Sequence, residues 1–152
     1  MPPQQPTYRN FEALCDFTDK QKEFMRAINR YSYVLYGGAK SGGKSRVLRW
    51  ALLALLLKWG GGYVNKEGKI FEPKKRVRVA LFCEDYPALT DRQITKIETE
   101  FPEWLGKLSN SQTDGMSFRL NDKYGGGSLA LRNLDDPSKF NSSEFAAIAI
   151  DE

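Results

Sequence analysis

The chain has no histidine in its 152 residues, which excludes a histidine-based catalytic triad and a histidine-ligated zinc site within it. Cysteine is scarce too. Cys15 and Cys83 lie far apart and form no disulfide framework, so both read as small buried apolar residues in a reducing, cytosolic setting. Long apolar runs are missing: Trp50 to Leu57 is eight residues, against about 20 for a membrane span. That run predicts a buried helix and no membrane association. No leader pattern and no internal repeat is visible. Acidic residues are few in the first half only. Residues 1–76 carry 15 Lys/Arg against 6 Asp/Glu, whereas residues 77–152 carry 8 against 13. A basic half of this kind fits polyanion binding or a solvated lysine-rich surface, and charge alone favours the second.

What is present reads as strands alternating with helices. Met1 to Pro6 begins a loose tail over residues 1–10, and residues 11–152 form one domain. Residues 10–30 have helical periodicity, with Thr18 and Gln21 spaced as a capping box. Tyr33–Tyr36 is a short β-type run, and a long helix comes next from Lys44 to Lys58, closed by Gly60-Gly61-Gly62. Residues 63–76 read as an exposed basic loop or hairpin, and Val77–Cys83 as a buried strand. Residues 90–108 are helical in period but broken at Pro102, and 116–120 with 128–132 read as a β-hairpin. Phe145–Ile150 is a buried strand ending in Asp151-Glu152. The pattern predicts an α/β fold, a P-loop NTPase of three layers (α/β/α) whose sheet is mostly parallel, with the hairpin as an excursion.

Gly38-Ala39-Lys40-Ser41-Gly42-Gly43-Lys44-Ser45 matches G-x-x-x-x-G-K-[ST]. Glycines let backbone N–H groups turn inward around a phosphate without a Cβ in the way. The helix after the loop aims its positive end at the same anion. Lys44 then supplies a mobile charge to the β and γ phosphates, and Ser45 a hydroxyl to Mg²⁺. The second half of such a site is an apolar strand delivering an acid to the sheet's carboxyl edge. Asp151 meets that need as a Mg²⁺ holder, and Glu152 as the group that orients or deprotonates the attacking water. The expected cofactors are therefore ATP and Mg²⁺.

Four stretches together resemble the tailed-phage terminase large subunit family. One is the loop itself, with Lys40 four residues before Lys44. A second is Phe17-Thr18-Asp19-Lys20-Gln21, similar to the family's adenine-recognising glutamine segment. The third is the strand ending at Cys83, with Glu84-Asp85-Tyr86-Pro87-Ala88-Leu89 after it. The fourth runs from Leu129 through Asn133-Leu134-Asp135-Asp136-Pro137 and Ser142-Ser143-Glu144-Phe145 to Asp151-Glu152.

The resemblance implies an ATPase motor domain of a DNA-packaging machine, with Lys44, Lys40 and Glu152 catalytic. Lys40 would contact or sense the γ-phosphate, and Gln21 would bond the adenine edge. It also implies double-stranded DNA, a portal protein and a small terminase subunit as partners, a homo-oligomeric ring at full length, and work in the host cytoplasm at the procapsid portal. The basic segment 63–76 is a candidate DNA-facing element. Arg92 reads as a solvated surface residue, with an arginine finger toward a neighbouring subunit as the alternative. Glu84-Asp85 stands where many relatives carry Arg or Lys. The family's coupling segment and nuclease have no counterpart in these residues, so no nuclease activity carries over. The rival readings are a helicase-like or other P-loop ATPase, or a nucleotide-binding remnant without turnover.

Overall fold

Leu, Ala, Arg and Lys dominate Lys44–Trp59, all strong helix formers, and these residues form helix α2. It is apolar almost all round, and Val47 and every residue from Arg49 to Leu57 are buried, as expected of a core helix rather than a surface one. The computed structural model describes residues 16–38, 43–59, 76–112, 115–135 and 144–151. Helix α1 (Asp19–Ala27) starts at a capping box in which Thr18 and Gln21 satisfy each other's backbone N–H groups.

Strand β1 (Arg78–Cys83) is the apolar run anticipated for a buried strand. After it, one helical stretch spans Tyr86 to Glu100 in three parts: α3 (Tyr86–Leu89), a π-helical turn (Thr90–Ile94) and α4 (Thr95–Glu100). Asp85 caps its start by accepting from the Ala88 N–H at 2.8 Å. Phe101 leaves the helix in an extended conformation, as a residue before proline must. Strands β2 (Gly106–Ser111), β3 (Gly115–Leu120), β4 (Ser128–Asn133) and β5 (Ala147–Asp151) complete the sheet.

The sheet overturns the expected three-layer, mostly parallel architecture. Its order is β2-β3-β4-β1-β5. β1 runs parallel to β4 and β5, but β2 with β3 and β3 with β4 are antiparallel. The fold is a small mixed α/β one. Antiparallel neighbours connect by short turns and need no crossover helix, so among the described residues β2, β3 and β4 bring no α-helix to cover a second face. Strand β2 begins inside the stretch whose period predicts a helix, because Pro102 ends the helix two residues past Glu100. The Tyr33–Tyr36 run joins no strand, and Tyr33 and Leu35 are 97% and 95% exposed.

Strand alternation sorts the two faces. Val79, Leu81, Leu129, Leu131, Phe118 and Leu120 pack with α2 and α4 in the main core. The opposite face carries Ala80, Phe82 and Ala130 with Phe145 against them, and next to these Ile148 and Ile150, each 58% exposed. Arg78, Ser128, Arg119, Ser117 and Arg132 share this open face by register. Among the described residues no helix is long and apolar enough to cross a membrane.

One buried ion pair braces the helical side. Arg49 donates to Glu100 at 2.7 and 2.9 Å, and the Trp50 indole donates to the same carboxylate at 2.9 Å. Burial alone would raise the Glu100 carboxyl, but the hydrogen bonds from Arg49 and Trp50 and the nearby charges of Arg49 and Arg46 hold it below its ordinary value.

Candidate functional site

The described ends of the glycine-rich loop are Gly38 and Gly43, both in the positive-φ region at 143° and 66°. A side chain at Gly43 would be strained there and would collide with the Gln21 amide. That amide donates to the Gly43 carbonyl at 3.1 Å, while its oxygen accepts from the Thr18 N–H at 3.0 Å. Gln21 is buried. It stitches the start of α1 to the end of the loop, and one of its amide hydrogens is not engaged by these bonds. The Gly43 carbonyl also accepts from the Val47 N–H, opening α2.

Lys44 begins α2, and its ammonium lies back across the loop, donating to the Gly38 carbonyl at 3.0 Å. Lys20 brings a second ammonium beside this loop end, 5.9 Å from the Tyr36 ring centroid. Ala39, Lys40, Ser41 and Gly42 lie outside the described residues, as do Glu152, Cys15, the Gly60–Gly62 helix stop and most of the basic segment 63–76.

Asp151 ends β5 in register with Cys83, on the helix-covered face, and is 4% exposed. Its partner is Gln93, which is fully buried. The Gln93 amide nitrogen donates to Asp151 Oδ2 at 2.8 Å and to the Ser45 carbonyl at 3.2 Å. Its oxygen accepts from Arg49 Nη1 at 3.4 Å. A single nitrogen thus joins the first turn of α2 to the strand-end acid. Sequence reasoning misses Gln93. One glutamine in a helix carries no pattern, and its reach depends on the π turn, which adds a residue to the helical repeat and re-aims the side chains beyond it. Such turns recur at functional sites.

Cys83, in register with Asp151, is buried. Burial pushes the Cys83 thiol up to about 12, the Asp151 charge adds to the rise, and Arg92 opposes it. A thiol held there is not a nucleophile at neutral pH, which agrees with its reading as a small buried residue.

The oxygen donors present are of the type Mg²⁺ takes. No group of three His, Cys, Asp or Glu able to hold a metal occurs among the described residues. Mg²⁺ ordinarily takes one or two protein oxygens and completes its shell with water and substrate phosphates. Asp151 and the Ser45 hydroxyl supply that number.

A separate feature occupies the open face of the sheet. A cavity of about 160 Å³ is lined by Arg76, Arg78, Arg119 and Arg132 together with Ser117 and Ser128, with no acidic residue among the described lining residues. Arg76 pairs at 3.3 Å with exposed Asp122 outside it, Arg78 stacks 5.2 Å from the Phe145 ring, and Arg132 donates to the Leu131 carbonyl. Comparison with known proteins finds no protein-family model, no curated protein and no solved structure that matches this chain.

Proposed function

We propose that this chain binds ATP with Mg²⁺ at the Gly38–Ser45 loop and hydrolyses it, as the ATPase part of a terminase large subunit acting on double-stranded DNA. The observation that carries the reading is the Gln93 nitrogen bonded to both Ser45 and Asp151. It supports one site built from a phosphate loop and a strand-end carboxylate, which motif spacing alone leaves as two separate features. Bound Mg²⁺ would neutralise charge on the β and γ oxygens. Ser45 and Asp151 are the residues to hold it.

Lys44 would swing from the Gly38 carbonyl to the phosphate oxygens, exchanging one hydrogen bond for charge-assisted ones. The catalytic role of Lys40 at the outer phosphate, and that of Glu152 as acceptor of the attacking water's proton, come from the family resemblance. So do an adenine contact by Gln21, a portal protein and small subunit as partners, assembly into a ring, and work in the host cytoplasm. The test is phosphate release from ATP by the purified chain, with and without a Mg²⁺ chelator. Mg²⁺-dependent turnover is expected. Nucleotide binding without turnover would leave a binding domain only, and no binding would end the reading.

The open face supplies a described surface for the DNA part of the proposal. Four arginines on one cavity suit a phosphodiester backbone, since guanidinium forks match phosphate oxygens. Arg76, the one described member of the basic segment 63–76, is among them. Neutralising Arg78 and Arg119 with glutamine is expected to lower the slope of log affinity for duplex DNA against log salt by roughly 2, about one per lost phosphate contact. An unchanged slope would remove this face from the DNA path.

A further inference from the structure

We infer that Arg92 belongs to the nucleotide site of its own chain and donates its buried guanidinium nitrogen to an oxygen of the outermost phosphate. The inference rests on the ATP reading above and names a residue that the loop-and-acid pattern does not contain.

The starting observation is an unsatisfied donor. Arg92 Nη1 is buried with no hydrogen-bond partner among the described residues, while the side chain as a whole is 37% exposed. A buried N–H of a charged group without an acceptor is costly, so such groups are rare and call for a missing partner. Glu84 does not fill the gap. It faces the other nitrogen, Nη2, at 3.7 Å, beyond hydrogen-bond reach, and its own side chain is largely solvated.

Position identifies the partner as an anion of the nucleotide site. Arg92 is the middle residue of the π turn Thr90–Ile94. Its carbonyl is fixed by Arg49 Nη1 at 3.3 Å, and the next residue is Gln93, which holds Ser45 and Asp151. Its Nη2 faces Glu84, the first residue after β1, whose last residue Cys83 stands in register with Asp151. The guanidinium therefore sits at the carboxyl edge of the sheet, at the strand ends where Asp151 also lies. Lys44 begins α2 and would take the inner phosphates from the helix side. The outermost phosphate would then project toward the strand ends, where it offers several acceptor oxygens to a planar fork. Glu84 lies 3.7 Å from Arg92 Nη2, and a cation on this side offsets the repulsion a triphosphate would meet from Asp151.

The test is the ratio of affinities for a non-hydrolysable ATP analogue and for ADP, both with Mg²⁺, measured by displacement of a fluorescent nucleotide. Arg92→Gln is expected to weaken the triphosphate about tenfold, the scale of one hydrogen bond to a charged group, while ADP affinity stays within about twofold. Arg92→Lys, which keeps charge without the fork, falls between. Glu84→Gln removes the ion-pair partner and keeps the triphosphate preference. Equal losses for both nucleotides, or no loss in Arg92→Gln, would overturn the assignment. Should Arg92→Gln fail to fold, Arg92→Lys decides, because an unchanged ratio there rejects it. If the unaltered chain binds neither nucleotide, the ATP reading fails and takes this inference with it. If it binds both and only the Arg92 variants show no selectivity change, Arg92 alone is misassigned.

Discussion

Lys44→Ala is expected to reduce ATP turnover at least about a hundredfold, the loss typical when one fixed charge or donor facing the transition state is removed. In phosphoryl transfer the protein does little covalent chemistry, so catalysis depends on positioned charge. Lys44 is the one loop lysine whose position is described, and its ammonium already lies over the loop on the Gly38 carbonyl. That bond is neutral at its acceptor end and solvent-exposed, so losing it is expected to cost under about 1 kcal/mol of stability. A large activity loss with a small stability loss is thus the signature to look for in parallel turnover and urea-unfolding measurements. Arginine is a poor rescue here, because a broad planar fork does not replace a compact ammonium inside a tight loop. Turnover in Lys44→Ala equal to that of the unaltered chain would show that the loop does not hold the reacting phosphate.

How much of this is readable in the chain differs from one element to the next, for physical reasons. Gly43 and Asp151 are readable because backbone geometry dictates them. Only glycine tolerates the positive φ and the Gln21 amide at position 43, and only an apolar strand carries Asp151 to a sheet edge. The capping box at Thr18 and Gln21 is readable for the same local reason, although the bond from Gln21 to the Gly43 carbonyl is not. Strand direction is another matter. Periodicity says that a segment is extended or helical, and not which way its neighbour runs, so it suggests a parallel sheet where half of the pairings are antiparallel. Residues 106–111 carry too few apolar positions to separate a half-exposed strand from the tail of a helix, and only the partner β3 settles them. The exposed Tyr33 and Leu35 mark a β-type run that found no strand beside it.

Gln93→Leu is expected to destabilise the fold by about 2–4 kcal/mol, the cost of leaving a buried charged acceptor without its donor. For a domain of this size that is a fall of roughly 10 °C in the melting midpoint. Leucine fills nearly the same volume, so little of the effect comes from a cavity. What changes is that Asp151, 4% exposed, loses its 2.8 Å partner, and the Ser45 carbonyl loses its bond as well. Arg49 is less affected, because Glu100 still holds it at 2.7 Å. The mechanism is separable from general core damage by a double-mutant cycle with Asp151→Asn. If the amide's main task is to satisfy the carboxylate, the Gln93 substitution costs less once that charge is gone, with a coupling of about 1 kcal/mol or more. Additive effects, within about 0.5 kcal/mol, would show that Gln93 and Asp151 do not depend on each other, and the link between loop and acid would lose its basis. A substantial coupling has a functional corollary. An acid held by a fixed amide is positioned before any cation arrives, so Mg²⁺ affinity in the presence of nucleotide should fall in Gln93→Leu even at temperatures where the variant is fully folded.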